Sequence, residues 1–492
     1  MSYRCLPCFL VGLFTLCGCA AGPDFKAPSA QVPDAWPVVA AGARPPDAPS
    51  GSRIASQDAD LRAWWSGFGD PTLDSLIERS LAANLDLRAA VLRIEESRSE
   101  RAVTAASWWP SLSANASYSR TRLSEQTPTG SLFTTFDHVH LPGVTGISVA
   151  NPYNQYQLGA EASWEVDLFG RVRRSVEAAD AALAATVEDE HAAQLALLAD
   201  VARSYLELRG AQQSAQSARA SIAITQDLLD LSRQRRAAGL TSEVDVVEAG
   251  AELSATQAQL PAYDLAVTES IHALSRLLGQ EPEALRGELL AQAALPAPPL
   301  EVPVGLPASL ARRRPDIRRA EANLHAATAQ IGVAIAGLYP AISLTAAGGV
   351  QSQTAGELTD WASRFFTFGP TLELPVFDRG RWRTITLQRV REKEAAVAYA
   401  GTVLNALQEV EDAVSAWFAD QDRQAWLADS VRQSRTALDL TRQRYASGVA
   451  SFIEVLDTER TLRANELSLI QSTLAVDEDL VVIYRALGGG WE

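Results

Sequence analysis

The residues best placed to do chemistry are carboxylates at two helix-hairpin turns. Glu454 and Asp457 stand three apart in QRYASGVASFIEVLD, residues 443–457. Asp245 and Glu248 hold the matching places in QRRAAGLTSEVDVVE, residues 234–248, 209 residues upstream. Side chains at i and i+3 share a helix face, so each pair can turn two negative charges to one side. A narrow aqueous passage lined in this way gathers cations and repels anions. A solvated helix face gives the same pattern, and the two readings separate only through the rest of the chain.

Other reactive side chains are sparse. Asp137-His138-Val139-His140 could offer two imidazoles to a metal, but a lone His-x-His in a loop is usually incidental, and no metal site is expected. His191, His272 and His325 stand singly in helical stretches. No Ser/His/Asp set, Gly-x-Ser-x-Gly elbow, P-loop or dinucleotide fingerprint stands in a credible context, so no enzyme and no cofactor is expected. The run Arg312–Arg314 reads as solvated surface. The formal net charge is −16 over 492 residues, which argues against a nucleic-acid partner, since phosphate neutralisation needs clustered Lys and Arg.

All four cysteines fall within the first nineteen residues, at Cys5, Cys8, Cys17 and Cys19, so neither a disulfide nor a thiolate metal site can form in the body of the chain. Arg4 and the apolar run Leu6–Leu16 read as a signal peptide, residues 1–18, too short to span a bilayer. Leu16-Cys17-Gly18-Cys19 resembles a bacterial lipobox, which makes Cys19 the expected lipidated residue; an ordinary secretory cleavage is the alternative. Ala20, in place of Asp, resembles an outer-membrane sorting signal. No later apolar run reaches the ~20 residues of a spanning helix, so any membrane crossing must be made by strands.

The elements that carry the carboxylates follow from periodicity. Residues 19–69 form a Pro- and Ala-rich tether, with Trp64, Trp65 and Phe68 near its end. Asp70-Pro71 is an N-cap with Pro at the first helical position, and a helix is predicted from Pro71 to about Ala106. The period then changes to two at about 107–122, where Leu112, Ala114, Ala116 and Tyr118 alternate with polar residues. It returns at about 154–168, from Tyr156 to Leu168. Strands of roughly ten residues with one apolar and one polar face fit a transmembrane barrel, and a soluble sandwich strand gives the same alternation. A helical period resumes from Gly170-Arg171 to about Arg236. Val201, Leu208, Ala215, Ile222 and Leu229 fall seven apart, and the sevens resume after Gly239 from Val246 to Leu274, a coiled-coil signal. Pro261 is expected to kink the returning helix, and Leu278-Gly279 closes it.

Residues 280–314 form a Pro-rich linker, after which residues 315–488 repeat the plan of 70–279. Asp316-Ile317-Arg318 matches Asp86-Leu87-Arg88, Tyr339-Pro340 matches Trp109-Pro110, and Gly380-Arg381 matches Gly170-Arg171. Strands are predicted at about 340–352 and 365–377, and residues 489–492 form a tail. The chain is thus expected to be an internal duplication, mainly α, with four strands. Four strands cannot close a barrel, and open edges in hydrocarbon leave backbone groups unsatisfied. The smallest assembly expected to enclose water is a homotrimer sharing a 12-stranded transmembrane β-barrel, continued by an α-helical coiled-coil tunnel.

Across essentially its whole mature length the chain resembles the outer membrane factor family of efflux systems (TolC- and OprM-like channels). The resemblance is carried by CAAGPDF at 19–25, WW-x-x-F-x-DP-x-L at 64–73, NLDLRAA at 84–90, SW-x-VDLFGR at 163–171, RRPDIRRAE at 313–321, LP-x-FDRGR at 374–381 and RYASG…EVLD at 444–457. It implies a homotrimeric lipoprotein channel in the outer membrane with a long periplasmic extension. A periplasmic adaptor would join the channel to an inner-membrane pump, of the proton-driven RND type. It also implies a periplasmic gate at Tyr445, Glu454 and Asp457, where three chains would set six carboxylates in a ring. Asp245 and Glu248 would be secondary, with Arg235 as a nearby partner. Adaptor docking would fall on the turns Gly239-Leu240-Thr241 and Gly448-Val449-Ala450. Ala450 departs from relatives with a basic residue there, so an interchain salt-bridge lock is not expected. The competing readings are the outer duct of a protein-secretion system and a lipid-anchored periplasmic coiled-coil scaffold.

Overall fold

The structure is a computed structural model, and it describes residues 20–29, 32–41, 53–55, 61–128, 130–131 and 151–491. The expected signal peptide with Cys19, and the segment Asp137–His140, lie outside the described residues. The chain divides into two compact units. One comprises Met1–Lys26, Arg98–Ala182 and Leu324–Ala395, and the other Ala27–Ser97, Leu183–Asn323 and Ala396–Glu492.

The first unit is built on an antiparallel sheet of four strands, β1 (Ser111–Thr121), β2 (Tyr153–Val166), β3 (Ala341–Ser352) and β4 (Arg364–Glu373), in the order β1-β2-β3-β4. The predicted strands are present, and the fourth ends earlier than its pattern, at Glu373. Register decides which side chains share a face. Leu112 lies opposite Ala162, Tyr118 opposite Tyr156, Leu158 opposite Val350, Trp164 opposite Leu344, Ala346 opposite Phe368, and Ile342 opposite Leu372. Apolar residues therefore meet apolar residues across all three ladders. The opposite face collects Ser111, Asn115, Gln157, Glu161, Glu165, Thr345, Gln351, Thr371 and Glu373. The apolar face is bare: Phe366 is 82% and Phe368 80% exposed. Among the described residues β1 and β4 each pair on one side only.

The second unit is helical. Its elements include α1 (Pro71–Ala83), α2 (Leu85–Ala105), α3 (Arg171–Ala237), α4 (Glu243–Gln257), α5 (Leu260–Leu277), α6 (Pro315–Ala336), α7 (Arg379–Ala446) and α8 (Phe452–Ala486), of which α2, α3, α6 and α7 also contribute to the first unit. Pro261 falls in the first turn of α5, and α4 and α5 are separated only by Ala258 and Gln259, whose backbone stays right-handed (φ −64°, ψ −18° and φ −82°, ψ −30°), so the returning helix is locally disturbed beside the proline and not ended. None of the helices is long and apolar enough to cross a membrane, among the described residues. The core gathers Trp64, Phe68, Leu73, Leu76, Leu198, Tyr205, Leu274, Trp417 and Leu480. Asp70 caps α1 by accepting from the Thr72 amide at 2.8 Å, and its other oxygen takes the Tyr205 hydroxyl at 2.5 Å. Burial and the Asp70 carboxylate push the Tyr205 phenol up to about 12.

One predicted helix differs. The run from Pro71 to Ala106 splits at Asn84, whose backbone is extended (ψ 132°). Its side chain accepts from the Leu87 amide at 2.8 Å, starting α2, and donates to the Leu277 carbonyl at 2.8 Å, ending α5. Arg314 does the corresponding work 230 residues later. It is only 7% exposed, donates to the Ala486 carbonyl at 2.8 Å and pairs with Asp316 and Glu409 at 2.7 Å. The Arg312–Arg314 run is therefore not all solvated surface, because its last member satisfies the end of α8.

Beside these caps, Gly279 and Gly488 close α5 and α8 at positive φ. A Cβ on Gly279 would lie 2.6 Å from the Ala83 carbonyl oxygen, and one on Gly488 would lie 3.0 Å from that of Arg313. Backbone cannot step aside as a side chain can. Gly279→Ala is expected to destabilise by ~2–4 kcal/mol, combining overpacking with the left-handed conformation. The heat-denaturation midpoint of the detergent-solubilised protein measures this. Gly239→Ala, which meets nothing within 4 Å, is the comparison and should shift the midpoint far less.

Candidate functional site

The two hairpin tips lie in the helical unit and are built alike. At the end of α3 the Gly239 amide donates to the Arg236 carbonyl and the Leu240 amide to that of Arg235, both at 2.9 Å. At the end of α7 the Gly448 amide donates to Tyr445 at 3.0 Å and the Val449 amide to Arg444 at 2.9 Å. These are paired Schellman turns, which need a residue at positive φ; Gly239 has φ +72° and Gly448 +77°. Leu240 and Val449, which follow them, are each 68% exposed.

The carboxylates predicted to line a passage also start the next helices. The Ser451 hydroxyl accepts from the Glu454 amide at 3.3 Å, and the Glu454 carboxylate accepts from the Ser451 amide at 3.0 Å, a complete capping box. Those hydrogen bonds, the Ser451 backbone first, hold the Glu454 carboxyl below its ordinary range. Ser242 caps α4 in the same way through the Asp245 amide, and Asp245 also accepts from the hydroxyls of Thr241 and Ser242. The Ser-x-x-Glu signature was present in the sequence and carries this local role. Glu454 and Asp457 remain solvent-facing, each with an arginine at 3.9 Å, Arg444 and Arg460 respectively. Their charge at a passage would therefore be partly offset.

Tyr445 is placed differently. It is 3% exposed, tilted against Phe452 with ring centroids 5.6 Å apart. Arg235 of the first tip lies over its ring at 4.4 Å and donates to its carbonyl oxygen at 2.6 Å. Burial raises the phenol above its ordinary range. Arg235 thus joins the two tips through Tyr445; its hydrogen bond goes to Tyr445 and not to Asp245 or Glu248. One oxygen of Glu248 is buried without a hydrogen-bond partner. Arg236 pairs with Glu243.

Sequence reasoning missed a charge cluster further along the hairpins. Glu252 on α4, 3% exposed, accepts a hydrogen bond from Arg460 at 2.7 Å, and Arg463 lies at ion-pair distance, 3.1 Å, from its other oxygen; both arginines are on α8. Arg463 also donates to the Thr256 hydroxyl. Glu459 beside them is 2% exposed, and burial raises its carboxyl despite the neighbouring arginines. The signal was Glu459-Arg460-x-x-Arg463 at helical spacing, which a solvated face produces equally well. The single histidines are likewise engaged: His191 stacks on Trp491, His272 meets Glu283, and His325 meets Phe25 and Glu177. Among the described residues no group of three or more His, Cys, Asp or Glu could hold a metal ion.

The sequence pattern of the family described as outer membrane efflux protein matches residues 76–280 and 306–489. The solvent efflux pump outer membrane protein SrpC of Pseudomonas putida is 32% identical, covering 100% of this chain and 99% of that protein. Outer membrane protein OprJ of Pseudomonas aeruginosa is 33% identical over 97% of this chain and 94% of its own length. Among solved structures, the outer-membrane channel OprN superposes with a TM-score of 0.81 at 33% identity, covering 96% of this chain and all of that one. The open-state MtrE channel of Neisseria gonorrhoeae gives 0.75 at 27% identity, covering 96% of this chain and 99% of that one.

Proposed function

The chain belongs to the outer membrane efflux protein family, and on that premise we propose how its parts perform the role. The protein is the outer-membrane component of an efflux system, a channel and not an enzyme. Three copies share one 12-stranded barrel, and their duplicated halves continue into a periplasmic tunnel. The observation that carries this reading is the sheet: an apolar face left bare, a polar face opposite, and two edges unpaired among the described residues. In lipid such edges must be paired, and neighbouring copies supply the pairing. The apolar face then meets hydrocarbon and the polar face water.

In the same reading Cys19 carries a lipid and no other cofactor is needed. The turns at Gly239–Thr241 and Gly448–Ala450 receive a periplasmic adaptor linked to an inner-membrane pump of the proton-driven RND type, and Tyr445, Glu454 and Asp457 stand at the gate. The test is to purify the protein from outer-membrane fractions, weigh the native assembly and record from planar bilayers. Heat-stable trimers with discrete conductance support the duct. Release as a soluble, non-conducting rod after removal of the lipid anchor would instead favour a scaffold.

A second measurement addresses the carboxylates. Glu454→Gln with Asp457→Asn keeps the capping box, since Gln can serve at that position, and removes two charges per chain. Cation preference, read as reversal potential across a salt gradient, is expected to fall toward zero without loss of trimers. An unchanged potential would place the selectivity elsewhere, for Arg444 and Arg460 would already have neutralised the pair.

A further inference from the structure

The N-terminal segment Ala20–Phe25 occupies a built cleft in the sheet-bearing unit. The Ala21 amide donates to the Phe169 carbonyl at 3.0 Å. Arg174, 4% exposed, donates to the Ala21 carbonyl at 3.1 Å and pairs with Asp24 at 2.6 Å. Glu177 holds the same guanidinium at 2.7 Å and meets His325 at 3.0 Å. Phe25 stacks flat on the His325 ring, centroids 4.4 Å apart. Backbone contact is close enough to demand glycine on both sides. A Cβ on Gly22 would lie 2.5 Å from Gly332 Cα, and one on Gly332 would lie 2.8 Å from the Ala21 carbonyl oxygen. A segment that merely lay on the surface would not need this many partners.

A second observation fixes the level of the cleft. Phe169 stacks on Tyr339 at 4.7 Å, and Trp108, Trp109 and Tyr339 are exposed at the same end of the sheet, where β1 and β3 begin and β2 ends. A girdle of exposed aromatics marks the headgroup level of a barrel. We propose that the cleft of Phe169, Arg174, Glu177, His325 and Gly332 is a clamp that fixes the N-terminal arm at the lipid headgroup level, so that acyl chains on the residue before Ala20 enter the membrane beside the strands. This rests on the reading of Cys19 as acylated, and Arg174 and His325 act as positioning residues for the anchor.

The test uses the full-length protein in lipid nanodiscs with a nitroxide on Pro23→Cys, an exposed position. The expected spectrum is immobilised, with relaxation by lipid-headgroup probes. Arg174→Ala and Gly332→Val should each turn it mobile and open to water-soluble relaxants, while heat-stable trimers and conductance persist. A mobile, water-exposed label in the unsubstituted background, or spectra unchanged by both variants, would overturn the clamp. Mass spectrometry of the N-terminal peptide reads acylation separately. An immobilised arm without acyl groups would sink the lipid reading and leave the clamp; an acylated but mobile arm would do the reverse.

Discussion

Gly448→Arg is expected to reduce efflux to the level of a strain lacking the channel while leaving trimers at normal abundance. No heavy atom lies within 4 Å of the position where a Cβ would stand, so the substitution meets no packing obstacle. The positive φ of +77° carries a conformational penalty of ~1–2 kcal/mol, confined to a turn at the end of two long helices. The functional effect comes from a cation planted beside the exposed Val449, on the surface through which an adaptor would dock. Burying an unpaired charge in such an interface weakens binding by several kcal/mol. Gly448→Ala carries the same backbone penalty without the charge and should retain most activity. Drug susceptibility in a complementation strain, scored against trimer abundance on gels, checks both. Normal resistance in the Arg variant would remove the turn from the docking surface.

Much of this arrangement was legible from period alone. The change from a period of 3.6 to 2 and back placed four strands and the long helices close to their observed ends, because side-chain alternation is fixed by strand geometry. Gly239 and Gly448 marked the tips because a Schellman turn requires the conformation they supply. What escaped the sequence depends on partners remote along the chain. The break at Asn84 exists because its amide reaches the Leu277 carbonyl, and no local signal announces a carbonyl 193 residues away. Arg314 read as solvated because its partner is the end of α8, and the burial of Glu252 gave no sequence signal because two arginines of the other hairpin cover it. Tyr445 was placed at the right turn, yet its neighbours Arg235 and Phe452 could not be chosen from spacing.

The pH dependence of stability should be dominated by a residue that the channel reading does not use. Asp477 on α8 is fully buried, and neither of its oxygens has a hydrogen-bond partner among the described residues. Burial, with the adjacent Glu478 adding to it, pushes its carboxyl up to about 8 from 3.8. The folded protein therefore keeps this proton while the unfolded chain releases it. Below pH 4 the group is protonated in both states and has no effect. From pH 4 to 8 stability falls as pH rises, and above 8 the loss is complete. A shift of that size corresponds to at most ~6 kcal/mol. Asp479, raised to about 7 by burial and by Asp420, and Glu478, also raised, push the same way. The effect of Asp477 must therefore be read as a difference between variants. Asp477→Asn cannot ionise, although its amide inherits the unpartnered site at ~1–3 kcal/mol. Its unfolding midpoint is expected to equal or fall below that of the unsubstituted protein at pH 4 and to exceed it at pH 8. Thermal scans of the solubilised trimer at half-unit intervals give the comparison. Parallel curves across that range would mean that Asp477 is ionised and compensated in the assembled channel. A neighbouring copy would then have to supply the cation.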